Sequence, residues 1–313
     1  MSLRIVFMGT PSFAVKALSA LVKSSHQVVA VVTSQDKPAG RGKQLRSSAV
    51  KQYAQSEHLP LLQPNNLKDL AFVEALKALK ADVFIVVAFR MLPKVVWRIP
   101  SKGTFNLHAS LLPNLRGAAP INWAIINGIK TSGVTTFMID EDIDTGHLLL
   151  QKKYTLKEDE TAGSLHDELA DLGSELIVET LFAIENEIVP IPQTLSGNEL
   201  SAPKLTRLNT RIDWNQPMDS IEAFIRGLCP YPSAWTEIHE DNKHNMLKIF
   251  QIKTEQKKHN LPPSQLLIDA NRLIVVHPEG FIHLLDVQLP NKRRMLARDL
   301  LNGWRCSSHV KVK

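Results

Sequence analysis

Residues 3–33 read LRIVFMGTPSFAVKALSALVKSSHQVVAVVT. An unbroken apolar run ends at Gly9, and Pro11 stands where the first turn of a helix tolerates a missing N–H. Ala14, Ala17, Leu18 and Leu21 then recur at i, i+3, i+4 and i+7, and a second apolar run, QVVAVVT, fills 27–33. A strand that is apolar at every position is buried on both faces. Strand, helix and strand in that order predict a parallel sheet covered by helices on both sides.

The alternation continues outward. Residues 67–80 read as a helix, ADVFIVVAF at 81–89 as a third buried strand, GTFNLH at 103–108 as a short further one, and PINWAIING at 120–128 as a short helix ended by Gly128. GVTTFMID at 133–140 is another strand. A long closing helix is expected over 161–187, where Leu165, Leu169, Leu172 and Leu176 keep helical spacing. The pattern then breaks. Residues 189–205 hold Pro190, Pro192 and Pro203 with little periodicity and read as a linker between a first domain (1–188) and a second (206–313). After a helix near 217–228, the runs NMLKIFQI (245–252), NRLIVVHP (271–278) and GFIHLLDV (280–287) read as strands, with Pro278-Glu279-Gly280 as a turn. A small antiparallel barrel is expected there.

The 313 residues carry 37 Lys and Arg against 31 Asp and Glu, a net charge of +6. That balance leans toward an acidic partner such as nucleic acid, although basic proteins without one are common. The two cysteines, Cys229 and Cys306, stand in unrelated contexts, as in a reducing compartment, and the histidines show no ligand spacing, so no metal is expected. The amino terminus lacks the features of a signal peptide and no apolar run reaches membrane-spanning length, so the expectation is a cytoplasmic protein without a membrane partner. The first strand-to-helix turn, GTPSFA, lacks GxGxxG, which weakens a dinucleotide site.

Asn106 and His108 are two apart on a strand, hence on one face, at the carboxyl end where open α/β sheets bind ligands. Two N–H donors aimed at one point can stabilise a developing oxyanion. Taken alone, such a pair more often serves as a turn cap and a core histidine satisfied by backbone. Asp140, Glu141, Asp142 and Asp144 form an acidic cluster of the kind that usually lies solvated in a turn. Asp144 differs, because Gly146 permits a tight turn before an apolar strand and could hold that carboxylate inward to orient the imidazole or pass a proton. Residues 33–51 interrupt the sheet pattern with Lys37, Arg41, Lys43, Arg46 and Lys51, either a solvated loop or one that orders against nucleic acid. In the second domain Lys292, Arg293 and Arg294 make a compact phosphate-binding candidate, though such runs are usually solvated faces.

Asn106 to Gly146, with SLLP at 110–113, RGAAPI at 116–121 and IDTG at 143–146, resembles the folate-dependent formyltransferases. FMGTPSFA (7–14), KPAGRGK (37–43), IDW (212–214) and RGLCPYPSAW (226–235) are similar to the branch of that family whose acceptor is methionyl-tRNA. The resemblance spans essentially the whole chain. It implies a Rossmann-like parallel-sheet formyltransferase domain followed by a small OB-like C-terminal β-barrel that binds tRNA. It also implies 10-formyltetrahydrofolate as formyl donor, without a metal, and initiator methionyl-tRNA as acceptor, for translation initiation by a monomer. Asn106, His108 and Asp144 would be catalytic. Ser110, Leu111, Leu112 and Pro113, with Phe89 and Met91, would contact the folate. Arg41, then Lys43, with Lys37 and Arg46, would meet the acceptor arm, and Lys292, Arg293 and Arg294 would extend the tRNA contact. AFRMLP at 88–93 departs from the family's commoner Tyr-Gly pattern. The competing readings are formylation of a nucleotide sugar or a glycinamide nucleotide, hydrolysis of the same folate, and a non-catalytic dinucleotide- or nucleic-acid-binding protein.

Overall fold

The computed structural model describes residues 2–39, 44–240, 243–304 and 310–313. The chain divides into two compact units, the first of residues 1–117, 131–155 and 166–201, the second of residues 118–130, 156–165 and 202–313.

The first unit is built on a seven-stranded sheet. Its strands are β1 (Arg4–Gly9), β2 (Gln27–Val32), β3 (Leu61–Leu62), β4 (Val83–Val87), β5 (Thr104–His108), β6 (Thr131–Met138) and β7 (Leu148–Thr155). They lie in the order β7-β6-β5-β4-β1-β2-β3. Strands β1 to β5 are parallel, as the buried apolar runs require, and β4 is buried at every position. The helices between them are α1 (Ser12–Lys23), α2 (Ala49–Ser56), α3 (Leu70–Ala78) and α4 (Lys94–Trp97). Helix α1 buries Ala14, Ala17, Leu18 and Leu21, the stripe read from the sequence, together with Phe13. Strand order reverses direction between β1 and β4, so the carboxyl ends of these strands flank a crevice, and β5 ends beside it.

The far edge of the sheet adds a feature that the apolar runs do not announce. Strand β6 runs antiparallel to β5, and β7 antiparallel to β6. Burial along β7 alternates, with Gln151, Lys153 and Thr155 exposed, which is the pattern of an antiparallel strand solvated on one face. The β6–β7 turn brings Gly146 against the Met138 carbonyl, where a Cβ would sit 1.6 Å from the oxygen. Gly146 is therefore demanded by close approach, while the left-handed backbone of this turn belongs to Asp144, at φ +56°.

The second unit contains helix α5 (Pro120–Ile126), which packs on α7 (Met218–Leu228) through an Asn122 Nδ2 to Gly227 carbonyl bond of 2.7 Å. Helix α6 (Ala162–Glu185), the long helix expected near 161–187, belongs to the first unit from His166 onward. Met218, Ile221, Ile225 and Leu228 line one face of α7 and enter the core of an antiparallel sheet. That sheet comprises β8 (Ala234–Glu240), β9 (Lys243–Gln256), β10 (Leu266–Asp269), β11 (Arg272–His277), β12 (Gly280–Gln288) and β13 (Lys311–Val312), in the order β10-β11-β12-β9-β8-β13. Leu266 N–H to the Val310 carbonyl and Val312 N–H to the Ser264 carbonyl, 2.9 Å each, join its two edges into a barrel. Pro278 and Glu279 make the turn between β11 and β12. Among the described residues no helix is long and apolar enough to cross a membrane.

Gly146→Ala should lower the urea-unfolding free energy by roughly 1–3 kcal/mol, because the added methyl must displace the Met138 carbonyl. Gly303→Ala, whose methyl meets nothing within 4 Å, should stay within about 0.5 kcal/mol of the parent. Equal effects of the two substitutions would show that the β6–β7 turn is not close-packed as described.

Candidate active site

Asn106 and His108 project from the same face at the end of β5, between β4 and β6. Asn106 is half-buried, and its amide makes no hydrogen bond among the described residues. His108 is 6% exposed. Its Nε2 lies 2.9 Å from the Leu115 carbonyl. A carbonyl oxygen can only accept, so Nε2 carries a hydrogen and donates it, and in the neutral ring Nδ1 keeps its lone pair. Nδ1 faces Asp144, with Oδ2 at 3.7 Å. Phe137 of β6 stands edge-on to the imidazole, ring centres 6.5 Å apart, and bounds its rotation.

The structure sorts the acidic cluster. Asp140 Oδ1 accepts from the Asp142 N–H and the Thr145 hydroxyl and serves the turn. Glu141 pairs with Lys94, whose ammonium holds that carboxyl below its ordinary range. Asp142 is exposed. Asp144, its side chain 14% exposed, turns inward and accepts the Gly117 N–H at 2.9 Å through Oδ2. Sequence reasoning gave Asp144 the task of orienting the imidazole or of passing a proton. In the structure Leu115 holds the imidazole, and Asp144 faces the ring's other nitrogen.

Leu115 is the residue the sequence reading missed. It is buried at φ +59°, a left-handed conformation that costs a non-glycine residue about 1–2 kcal/mol and that carries no mark in the sequence. It follows the Ser110–Pro113 loop, which is pinned from below. Leu112 N–H donates to Thr135 Oγ1 at 3.1 Å, Thr135 donates to the Ser110 carbonyl at 2.6 Å, and Gln151 Nε2 donates to the Leu112 carbonyl at 2.9 Å. Ser110 Oγ is committed to the Asn114 carbonyl, and Ser110 and Leu112 are buried, with Leu111 and Pro113 intermediate. These four residues shape the loop and present little side-chain surface.

At the end of β4, Ala88 is left-handed at φ +47°. Phe89 is partly buried against the core and the Arg90 guanidinium lies 5.4 Å from its ring centre, tied to the Pro64 and Asn65 carbonyls at 2.8 and 3.0 Å. Met91 is 67% exposed, and Ile143, beside Asp144, is 60% exposed.

Of the basic residues, Lys37 and Arg46 face each other across a short hairpin of Lys37–Ala39 and Gln44–Arg46, so this stretch is partly ordered where a flexible loop was expected. Arg41 and Lys43 lie outside the described residues. Lys292 and Arg293 are exposed. Arg294 is not a free cation, since Asp286 holds its guanidinium at 2.8 and 2.9 Å and Phe250 lies beneath it.

Comparisons with known proteins identify the family. The family model for formyl transferase matches residues 3–181, and that for the formyl transferase C-terminal domain matches 204–305. The methionyl-tRNA formyltransferase of Flavobacterium johnsoniae is 50% identical over 99% of both chains, and that of Bacteroides fragilis 48% identical over 99% of this chain and 98% of its own. Among solved structures, the N-formyltransferase from Helicobacter canadensis shares the fold at a TM-score of 0.64 and 21% identity, covering 90% of this chain and 98% of its own. HypX from Aquifex aeolicus in complex with tetrahydrofolic acid does so at 0.66 and 18%, covering 96% of this chain and 47% of its own. With both family models matched and relatives near half identity from end to end, the chain belongs to the formyl transferase family.

Proposed function

We propose that this chain transfers the formyl group of 10-formyltetrahydrofolate to the amino group of methionine on initiator methionyl-tRNA. The observation that carries the reading is the meeting of His108 and Asp144 at 3.7 Å beside Asn106, in a chain whose full-length relatives are named for that reaction. Residues 1–188 carry the chemistry, and residues 206–313 hold tRNA.

The residues present suit a folate. Met91 and Ile143 expose apolar surface just after β4 and beside Asp144, which fits a flat heteroaromatic ring, while Phe89 packs against the core. Ser110, Leu111, Leu112 and Pro113 act by fixing the loop that ends in Leu115.

As the amine attacks the formyl carbon, negative charge gathers on its oxygen and the amine must shed a proton. Asn106 has amide hydrogens to give that oxygen. His108 has a lone pair at Nδ1 to receive the proton, and once protonated that nitrogen becomes a second donor. Asp144 faces the same nitrogen and relays the proton to the folate nitrogen, which departs as its bond to the formyl carbon breaks and the carbon–oxygen double bond re-forms. The acceptor's phosphates are neutralised by Lys37, Arg46, Lys292 and Arg293, with Arg41 and Lys43 between the hairpin strands in sequence. Arg294 acts as support.

Formyl transfer to charged initiator tRNA, with uncharged tRNA and glycinamide ribonucleotide as controls, is the direct test. Formylation of the charged tRNA alone is expected. Formate released without an acceptor would favour a hydrolase. Asn106→Ala, His108→Ala and Asp144→Asn should each lower kcat at least ~100-fold with little change in tRNA affinity. Asn keeps the left-handed backbone at 144, so that variant isolates the charge. Near-normal kcat in Asp144→Asn would remove the carboxylate from the mechanism. Lys37→Ala, Arg46→Ala, Lys292→Ala and Arg293→Ala should raise the KM for tRNA and each flatten its dependence on log salt by about one. An unchanged salt slope would exclude that side chain as a phosphate contact.

A further inference from the structure

The stretch 189–205, read from its prolines as a linker, is bound through Ile191 to β7 and through Gln193 and Leu200 to the loops that hold His108 and Asp144. Ile191 exchanges two backbone hydrogen bonds with Leu148, 2.7 and 2.9 Å, and so starts the stretch beside β7. At its other end the Leu200 carbonyl accepts the Leu115 N–H at 2.7 Å, and the Leu200 N–H donates to Asn114 Oδ1 at 2.8 Å. Between these, Glu199 closes a turn by accepting the Ser196 and Gly197 N–H groups, which hold its carboxyl down to about 2.

The centre of this strap is Gln193. Its Nε2 donates to the Asp144 carbonyl at 3.0 Å and to the Gly146 carbonyl at 2.8 Å. Its Oε1 accepts from Arg116 Nε at 3.2 Å and from the terminal guanidinium nitrogen at 2.6 Å. A side-chain amide has two hydrogens and two acceptor lone pairs, and all four are used. The two groups it joins are the two that matter. Arg116 sits between Leu115, whose carbonyl orients His108, and Gly117, whose N–H orients Asp144. The carbonyls of 144 and 146 bracket the turn on which the Asp144 side chain rides.

Resting on the formyl-transfer reading, we infer that Gln193 is a positioning residue: it clamps the 115–117 loop to the 144–146 turn and so sets the spacing between the His108 imidazole and the Asp144 carboxylate. Its polarity is directional. The oxygen must face the arginine and the nitrogen the two carbonyls, because the reverse would oppose donors to donors and acceptors to acceptors.

That direction supplies the test. Gln193→Glu keeps the arm facing Arg116, with a charge pair in place of a neutral one, and points a carboxylate oxygen at two carbonyls. It should fold with a thermal midpoint near the parent's while releasing the Asp144 turn. Gln193→Ala releases both arms. For both variants the expected result is a kcat lower by about 10- to 100-fold with KM for folate and tRNA nearly unchanged. The 15N resonance of His108 Nδ1 in labelled protein should also move. Parent-like kcat and an unmoved Nδ1 resonance in Gln193→Glu, in a preparation whose parent enzyme formylates charged tRNA, would overturn the inference and leave the function intact. A parent enzyme that does not formylate would overturn the function, and the Nδ1 resonance would then decide the inference alone.

Discussion

The hydrogen bond from His108 Nε2 to the Leu115 carbonyl is the constraint on which the site depends. It decides which ring nitrogen carries the hydrogen, and so which one is left for chemistry. Had Asp144 bound the imidazole directly, the carboxylate would be spent on orientation. Because a backbone carbonyl does that work, the carboxylate and Nδ1 both stay available to a third group. The carbonyl can face the ring only if the chain turns left-handed at Leu115, and that turn follows a loop pinned by Thr135 and Gln151 of the antiparallel edge. The antiparallel strands β6 and β7 thus serve as the floor of the site. Five parallel strands alone would leave nothing beneath Ser110–Pro113.

Much of this was legible in the sequence. The continuous apolar runs at 3–9, 27–33 and 81–89 and the stripe from Ala14 to Leu21 can be buried in few other ways, and they fix the parallel half of the sheet. Asn106, His108 and Asp144 stood out through the motifs around them, SLLP, RGAAPI and IDTG, which resemble the formyltransferases; without those motifs the pair at 106 and 108 reads as a turn cap and a core histidine. What was not legible depends on backbone conformation and on contacts between distant segments. Leu115 looks like any core leucine until its φ is known. Gln193 lies between prolines in a stretch without periodicity, and its four hydrogen bonds reach three residues 47 to 77 positions away. The basic run at 292–294 looked uniform, yet Arg294 is held by Asp286, a strand residue eight positions earlier.

The distribution of charge around Asp144 follows from the substrate proposed. A polyanion that must bring its amino-acid end to a carboxylate meets repulsion from every free acid nearby. Of the four acids from 140 to 144, Asp140 is bonded within its turn, Glu141 carries Lys94 and Asp144 accepts the Gly117 N–H, while Asp142 stays exposed.

The strain at the site is comparable to what holds it. Two left-handed non-glycine residues, Leu115 and Asp144, together cost about 2–4 kcal/mol relative to ordinary backbone. Leu115 is held by its N–H to Leu200 and its carbonyl to His108, and Asp144 by its carboxylate to Gly117 and its carbonyl to Gln193. Four hydrogen bonds at a net ~1 kcal/mol each offset that cost with little to spare. Two of the four come from residues 193 and 200. The conformation that sets His108 opposite Asp144 therefore persists because a segment outside the sheet, one that looks like a tether in sequence, is bonded to it.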